Sequence, residues 1–269
     1  MSERVDLFDS TYGHFTEQVL GDMRKETFGL DIGQNSWLTA DEYDRFISWL
    51  GLAPEQHALE VASGSGGPAR HLANRVGCYV TGIDANESGV TTAARSVAGP
   101  NLLGRVTFIV ADANAPLPFE DDTFDALLCI DSMNHFPGRL SVFREWRRVL
   151  RPGGRAVFTD PVVITGPVTN DELALRSSIG LFLFVPPGVN EILLGEAGLH
   201  LVRQEDVTDN AALISGRWRD SRDRHKDALL KIEGEERFEG LQHFFAAVHR
   251  LTSEKRLSRI AYLVKKHAA

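Results

Sequence analysis

Cysteine is scarce in this chain, which has two, Cys78 and Cys129, among 269 residues. Both lie in short apolar segments that are predicted as buried strands. Two buried thiols do not make a disulfide framework and are typical of a reducing compartment. Residues 1–6 also lack the charged-then-apolar pattern of a secretory signal. We therefore expect a cytoplasmic protein.

Long hydrophobic runs and a surplus of positive charge are also missing. The most apolar stretch, residues 179–185, is followed by Pro186 and Pro187 and is too short to cross a bilayer. Lys and Arg total 29 against 37 Asp and Glu, so the chain offers nucleic acid no general basic surface. The expected partner is a small molecule, with neither nucleic acid nor membrane, and a homodimer is compatible with the sequence.

Metal-binding motifs are absent as well. Asp131 and His135 are close in sequence, but no H-x-x-H, C-x-x-C or pair of carboxylates at ligand spacing accompanies them. We therefore expect no metal site. Internal repeats and low-complexity segments are missing too, which excludes solenoid and linker-like architectures.

The stretch Leu59-Glu60-Val61-Ala62-Ser63-Gly64-Ser65-Gly66-Gly67-Pro68 organises the rest of the chain. Its first residues resemble a buried parallel strand, and the glycines allow a sharp turn that a ligand can approach closely. Pro68 suits the first turn of a helix. A glycine turn between a strand and a helix is a ligand site in doubly wound α/β folds, although the same pattern also occurs in turns without a ligand.

Alternating apolar runs and helical stretches follow this turn and predict the fold. We expect an α/β, doubly wound, mostly parallel seven-stranded sheet with helices on both faces. The predicted strands are residues 58–62, 78–83, 106–111, 126–130, 156–159, 199–207 and 260–264. The predicted organisation is an N-terminal helical cap (1–52), a cofactor-binding Rossmann-like core (53–163), an inserted lid segment (164–195) and the C-terminal part of the core sheet (196–269). Within that last part, the mixed charges of residues 217–231 indicate a solvated helix face.

Acidic residues lie in or at the end of each of the first four predicted strands. They are Glu60, Asp84, Asp112 and Asp131. Because the carboxyl ends of parallel strands meet at one edge of the sheet, these side chains are expected to face one crevice. A carboxylate twenty positions after Gly64, as Asp84 is, can accept both hydroxyls of a ribose. Each acid taken singly is also compatible with a helix N-cap.

The order of these motifs resembles the class I S-adenosylmethionine-dependent methyltransferases over about residues 55–163. The resemblance rests on Glu60-Val-Ala-Ser-Gly-Ser-Gly-Gly, Gly82-Ile-Asp84, Ala111-Asp112-Ala113, Phe124-Asp-Ala-Leu-Leu-Cys-Ile-Asp131 and Leu150-Arg-Pro-Gly-Gly154. The segment Gly66-Gly67-Pro68-Ala69-Arg70 is similar to methyltransferases acting on glycine derivatives or phosphoethanolamine. The resemblance implies S-adenosylmethionine as cofactor and a small molecule as acceptor, with N- or O-methylation.

The cofactor residues implied by this resemblance follow the motifs. Glu60 and the turn residues Ala62, Ser63, Gly64 and Gly66 would hold the methionine end, and Arg70 is implied as a further cofactor-binding residue. Asp84 would bind the ribose, with Ala85 against the adenine. Asp112 and the backbone N–H of Ala113 would bind the adenine, and Asp131 would lie near the methionine part. Ala62 departs from the family pattern, which has glycine there, and its methyl group narrows the turn.

Two alternatives stay open. Gly64, Gly66, Ala69 and Asp84 also fit an NAD(P)-dependent oxidoreductase, but that interpretation gives no account of Asp112. A non-catalytic cofactor-binding scaffold is the other alternative.

The residues expected at the acceptor are His135, which follows the fourth strand, and Tyr12 on the N-terminal helices. His135 titrates near neutral pH and is a candidate base, and the pair resembles loosely a Tyr and His of phosphoethanolamine methyltransferases. A purely structural role for both is an equally open interpretation. The acceptor pocket is predicted to be mainly apolar, which favours a partly apolar acceptor over a polyanion. Its predicted lining is Tyr12, Phe15, Trp37, Phe182, Phe184 and Val185.

Overall fold

The alternating strands and helices form one seven-stranded sheet in a computed structural model, which describes residues 17–99 and 102–267. Its order is β3-β2-β1-β4-β5-β7-β6, with every pair parallel except the two that β7 makes. This confirms the predicted fold class. The strands are β1 (His57–Val61), β2 (Tyr79–Asp84), β3 (Val106–Val110), β4 (Phe124–Cys129), β5 (Leu150–Ile164), β6 (Leu199–Asp206) and β7 (Leu257–Lys266).

Helices cover both faces of this sheet. In the described part of the chain they are α1 (Gln18–Phe28), α2 (Ala40–Leu50), α3 (Gly67–Val76), α4 (Glu87–Arg95), α5 (Arg139–Val149), α6 (Asn170–Arg176), α7 (Val189–Glu196), α8 (Thr208–Arg224) and α9 (Lys226–Ser253). Local signals fix several ends: the Thr39 side chain accepts from the Glu42 N–H at the start of α2, and Gly51 adopts φ 64° at its end.

The strands alternate between two hydrophobic layers. Leu59 and Val61 of β1 pack into one layer with Trp146 of α5, whereas Ala58 packs into the other with Phe46 of α2. Because successive side chains of a strand point to opposite faces, this pattern places the apolar core on both sides of the sheet. Cys78 and Cys129 are both buried and free, as expected.

β5 is longer than predicted. It was expected at residues 156–159, but it begins at Leu150 and continues through Pro161 to Ile164. Its ladder with β7 shifts register between Asp160 and Val163, which accommodates the missing N–H of Pro161. The strand therefore carries the chain beyond the edge of the sheet, towards the crevice.

Two helices between β6 and β7 form a hairpin over that crevice. α8 packs along α9, and α1 packs against α8. α9 is kinked at Gly234, whose φ and ψ are 74° and 171°. A third hydrophobic cluster joins the hairpin to residues 179–182, which lie in the segment predicted as a lid, through Ile179, Phe244 and their neighbours.

Candidate active site

A cavity of about 590 Å³ lies at the carboxyl ends of β1, β2 and β4 and extends under the α8–α9 hairpin. Its sheet half is lined mainly by the residues after the strands, Glu60, Ala62, Ser63, Gly64, Asp84, Ala85, Asp112, Ala113, Ile130 and Asp131. Its roofed half is lined by Trp37, His135, Arg176, Ile179, Phe182, Trp218, Arg222, Leu241, Phe244 and Phe245, among others. The first half is rich in carboxylates and the second in aromatic rings.

The glycine turn after β1 is tightly wound. Ala62 adopts φ 57°, a left-handed conformation that an L-residue rarely occupies. Gly66 has φ 72° at the N-cap of α3, and a Cβ there would come within 2.3 Å of the Phe108 ring. A Cβ on Gly67 would come within 2.4 Å of the Gly33 backbone, because the loop between α1 and α2 crosses the turn. Both glycines are therefore required by close packing.

Arg70 supports the turn from behind. Its Nη1 donates to the Ser65 carbonyl oxygen at 3.0 Å, and Ser65 Oγ donates to the Gly33 carbonyl at 3.3 Å. Neither Arg70 nor Gly66 lines the cavity among the residues that the structure describes. Of the predicted cofactor residues, these two hold the shape of the turn.

Asp84 ends β2 with both carboxylate oxygens facing backbone donors. Oδ2 accepts from the Gly64 N–H and Oδ1 from the Asn86 N–H, each at 2.8 Å. Burial raises the pKa of Asp84, while these two hydrogen bonds lower it. Because a carboxylate oxygen accepts more than one hydrogen bond, both oxygens keep capacity for ligand hydroxyls.

Glu60 and Ser63 carry buried polar atoms without a partner among the described residues. Glu60 is 3 % exposed, and its Oε2 has no hydrogen bond, nor has Ser63 Oγ. Burial raises the pKa of Glu60 to about 8. Since buried polar atoms are rarely left unsatisfied, these two at the cavity wall indicate a polar or charged ligand.

Asp112 and Ala113 follow β3 at the outer end of the cavity. Asp112 is exposed, and its Oδ1 accepts from the Asn114 N–H at 2.9 Å. Ala113 is 7 % exposed and packs against the main core. The carboxylate and the neighbouring backbone thus lie together at the open edge of the site.

Asp131 is the most heavily engaged of the four acids. It adopts φ 55°, and its Oδ1 accepts from Arg259 Nε at 2.6 Å and from Thr159 Oγ1 at 2.7 Å. Its Oδ2 accepts from the Trp37 N–H at 2.9 Å. Arg259 is fully buried and also binds Glu42 of α2 through Nη1 at 2.6 Å. Asp131 therefore lines the cavity but serves mainly to join β4, β7 and the α1–α2 loop.

His135 lies in a 3₁₀ turn (Met133–His135) after β4 and lines the roofed half. Its Nδ1 lies 2.8 Å from the Leu181 carbonyl oxygen, which can only accept, so Nδ1 carries a proton. The Asn134 amide lies 3.1 Å from Nε2. Burial lowers the pKa of His135, so the ring is neutral at neutral pH with Nε2 as an acceptor. Tyr12 lies outside the described residues.

The aromatic roof differs in part from the predicted one. Trp37 and Phe182 line the cavity, whereas Phe184 and Val185 are not part of its wall, and Phe15 lies outside the described residues. Val185 instead pairs with Val163 at the end of β5 and packs on the main core. Most of the remaining roof comes from the α8–α9 hairpin, for which the sequence indicated no ligand-facing role.

Three residues of the segment 217–231, Trp218, Arg222 and Leu229, line the cavity, so the prediction of a solvated face is wrong there. Arg222 and Leu229 are buried there. Arg222 is neutralised by Glu233 and donates to Gln242 Oε1 at 3.1 Å. A helix whose buried charges pair with the neighbouring helix of a hairpin has the same mixed-charge composition as a solvent-exposed helix. Sequence pattern alone therefore does not distinguish a buried helix of this kind from an exposed one.

Metal ligands and membrane spans were searched within residues 17–99 and 102–267. No group of three or more His, Cys, Asp or Glu side chains in these ranges could hold a metal ion. No helix in these ranges combines the length and the apolarity needed to cross a membrane.

Comparison with known proteins identifies the family to which the sheet half of this site belongs. The family model described as "Methyltransferase domain" matches residues 59–158. The chain is 30% identical over 197 residues to sarcosine/dimethylglycine N-methyltransferase of Halorhodospira halochloris, covering 72% of this chain and 70% of that one. It is 35% identical over 178 residues to methyltransferase GfsG of Streptomyces halstedii, but spans 61% of its length.

A solved structure shows the same fold over nearly the whole chain. It is the crystal structure of a putative sarcosine dimethylglycine methyltransferase from Galdieria sulphuraria, with a TM-score of 0.75 and 19% identity. The match covers 91% of this chain and 98% of that one.

Proposed function

The chain belongs to the methyltransferase domain family, and we propose that it transfers a methyl group from S-adenosylmethionine to a small-molecule acceptor. The observation that carries this proposal is the meeting of Glu60, Asp84, Asp112 and Asp131 on one cavity wall, beside the glycine turn. A nicotinamide-dependent oxidoreductase explains the turn and Asp84 only, and the comparisons give that alternative no support.

The sheet half of the cavity fits the three parts of this cofactor. The unpartnered Glu60 Oε2 and Ser63 Oγ suit the charged amino-acid end, and Asp84 suits the two ribose hydroxyls. Ala85 and Ala113 offer apolar surface for the adenine ring, with Asp112 beside it as an acceptor for its amino group. When bound, S-adenosylmethionine supplies a methyl carbon that an acceptor lone pair attacks, while the carbon–sulfur electron pair stays on sulfur.

The chain's own part in this reaction is to orient the acceptor, exclude water and receive a proton. The aromatic roof of Trp37, Phe182 and Phe244 supplies a dry wall opposite the acids. His135 presents a neutral imidazole on the same wall because burial lowers its pKa, and the Leu181 carbonyl holds the proton on Nδ1. We propose that Nε2 accepts the proton when the acceptor atom carries one.

The cellular location and the oligomeric state of the protein are also proposals. Both cysteines are free and buried, which supports a reducing, cytoplasmic location. A homodimer stays a prediction, which light scattering during size-exclusion chromatography would check.

Isothermal titration of the purified chain with S-adenosylhomocysteine, NAD and NADP tests the cofactor. We expect binding of the first alone, and Asp84→Asn to weaken it at least tenfold by removing the charge that accepts from the ribose. The matched control is Asp41→Asn, an exposed acid in the first turn of α2 that does not line the cavity. Binding of a nicotinamide nucleotide instead would replace the methyltransferase with the oxidoreductase.

A methyl-transfer assay with labelled S-adenosylmethionine and an acceptor panel tests catalysis. His135→Gln is expected to retain S-adenosylhomocysteine binding and to lose at least 100-fold in kcat for acceptors that release a proton. Full turnover by this variant would remove His135 from the reaction. Tight cofactor binding with no turnover on any acceptor would favour the scaffold alternative.

A further inference from the structure

Arg176 is a buried arginine at the end of α6 that lines the roofed half of the cavity. It is 2 % exposed, and its guanidinium carbon lies 4.6 Å from the ring centre of Phe182, 5.1 Å from that of Phe244 and 5.8 Å from that of Trp37. Three aromatic rings therefore surround the charge. Cation–π contacts stabilise it in part, but they do not satisfy its N–H donors.

No described residue gives Arg176 a hydrogen bond or an ion pair, and its Nη1 is buried without a partner. The other arginines buried in the described ranges are Arg139, Arg222 and Arg259, and each has a carboxylate partner: Asp160, Glu233, and the pair Asp131 and Glu42. Arg176 is the exception among the four. Burying an unpaired charge is strongly unfavourable, so its position calls for a missing anion.

The nearest carboxylates do not fill that role. Asp131 and Asp160 raise the pKa of Arg176, but burial outweighs them and lowers it to about 9, so the side chain stays charged at neutral pH. Asp131 is occupied by Arg259 and Thr159, and Asp160 by Arg139 and Asn190. Within residues 17–99 and 102–267, no carboxylate is therefore left to pair with this positive charge.

The neighbourhood of Arg176 also connects it to the reacting end. The Phe182 ring that lies against the guanidinium is 5.0 Å, centre to centre, from the His135 ring. One aromatic side chain thus separates the charge from the proposed base. A small ligand could therefore contact Arg176 with one group and His135 with another.

We propose that Arg176 binds a carboxylate of the methyl acceptor, whose remaining part packs against Trp37, Phe182 and Phe244. The inference rests on the proposed methyltransferase function and names its substrate class. A planar carboxylate matches the guanidinium fork through two parallel hydrogen bonds. A phosphate dianion fits less well, because the other buried arginine of this half, Arg222, is already neutralised by Glu233.

The binding test uses the whole chain saturated with S-adenosylhomocysteine and titrated with matched probes. The probes are 3-phenylpropanoate, butanoate, their neutral amides and phenyl phosphate. We expect at least one carboxylate to bind, its amide to bind at least tenfold more weakly, and Arg176→Gln to abolish that difference. Arg176→Lys keeps the charge without the fork and should bind at an intermediate level. Arg95→Gln, at an exposed arginine of α4, is the matched control.

The melting temperature of the ligand-free chain gives a second test that needs no probe. If Arg176 awaits a ligand, Arg176→Met removes an unpaired buried charge and should melt about 2–4 °C higher or more. A merely structural arginine would give a lower melting temperature.

The outcomes separate this inference from the function beneath it. Failure of the wild-type chain to bind S-adenosylhomocysteine would contradict the proposed function itself. Normal cofactor binding with equal affinity for carboxylates and amides, or with no carboxylate bound, would overturn the role of Arg176 alone. Arg176-dependent preference for phenyl phosphate would overturn the carboxylate and identify a phosphate ester.

Discussion

Replacing Arg259 by methionine is expected to destabilise the fold more than replacing any exposed arginine. The guanidinium is fully buried and bridges Asp131 and Glu42, whose side chains are each 4 % exposed. Methionine fills much of the same volume but leaves two buried carboxylates without their cation. Breaking a buried ion pair by removing one partner costs about 3–5 kcal/mol. For a chain of this length that loss lowers the melting temperature by about 6–20 °C.

Equilibrium urea unfolding, followed by tryptophan fluorescence and circular dichroism, measures this loss. The matched control is Arg45→Met, because Arg45 also approaches Glu42 but is 45 % exposed, so its loss should cost less than about 1 kcal/mol. Adding Asp131→Asn and Glu42→Gln should restore part of the stability. A loss below 1 kcal/mol at pH 7 would refute the reasoning.

Three further predictions concern the glycine turn and its acid. Ala62→Gly removes the strain of an alanine in the left-handed conformation, although glycine also makes the unfolded chain more flexible. The net free energy of unfolding, measured in urea, should rise by about 0.5–1 kcal/mol; a decrease would show that Ala62 is not strained. Burial raises the pKa of Glu60 to about 8, so wild-type stability is retained below the ordinary value near 4.5 and falls as the pH rises towards 8. Glu60→Gln should remove about 2–4 kcal/mol of that fall between pH 5 and pH 9, and equal slopes would count against it. Gly66→Ala should destabilise the fold by about 2–4 kcal/mol and weaken S-adenosylhomocysteine binding at least tenfold, and adding Phe108→Leu, which frees the space that the Cβ needs, should recover part of both; an unchanged titration would contradict the packing argument.

The sheet and the sheet half of the cavity were predictable because their signals are short in sequence. A buried strand, a glycine turn and an acid such as Asp84 lie within about one strand–helix–strand unit, and parallel strands bring such acids together by topology alone. The resemblance supplied the chemical roles that spacing could not.

The roofed half was largely hidden, because its contacts join distant parts of the chain. Arg176 meets Trp37 and Phe244 across 139 and 68 positions of sequence, and no local pattern marks an arginine as buried. The charge of the pocket was equally hidden. The aromatic and aliphatic residues of the predicted lining indicated an apolar pocket, whereas the structure adds the unpaired cation of Arg176 to it. Which arginines are paired is a property of the fold, not of the pattern.

The position of β7 has a consequence for how the chain is made. β7 follows the other six strands in sequence, yet it lies inside the sheet, between β5 and β6. During synthesis β6 leaves the ribosome before β7, its partner strand, and Asp131 and Glu42 lack their shared partner until Arg259 is made. The amino-terminal five strands can assemble early. The β5–β7–β6 edge of the sheet and the ion pairs of Arg259 with Asp131 and Glu42 then form together, when β7 is added. Until β7 has formed, β6 and the edge of β5 lack their partner strand, and unpaired strand edges of this kind favour aggregation.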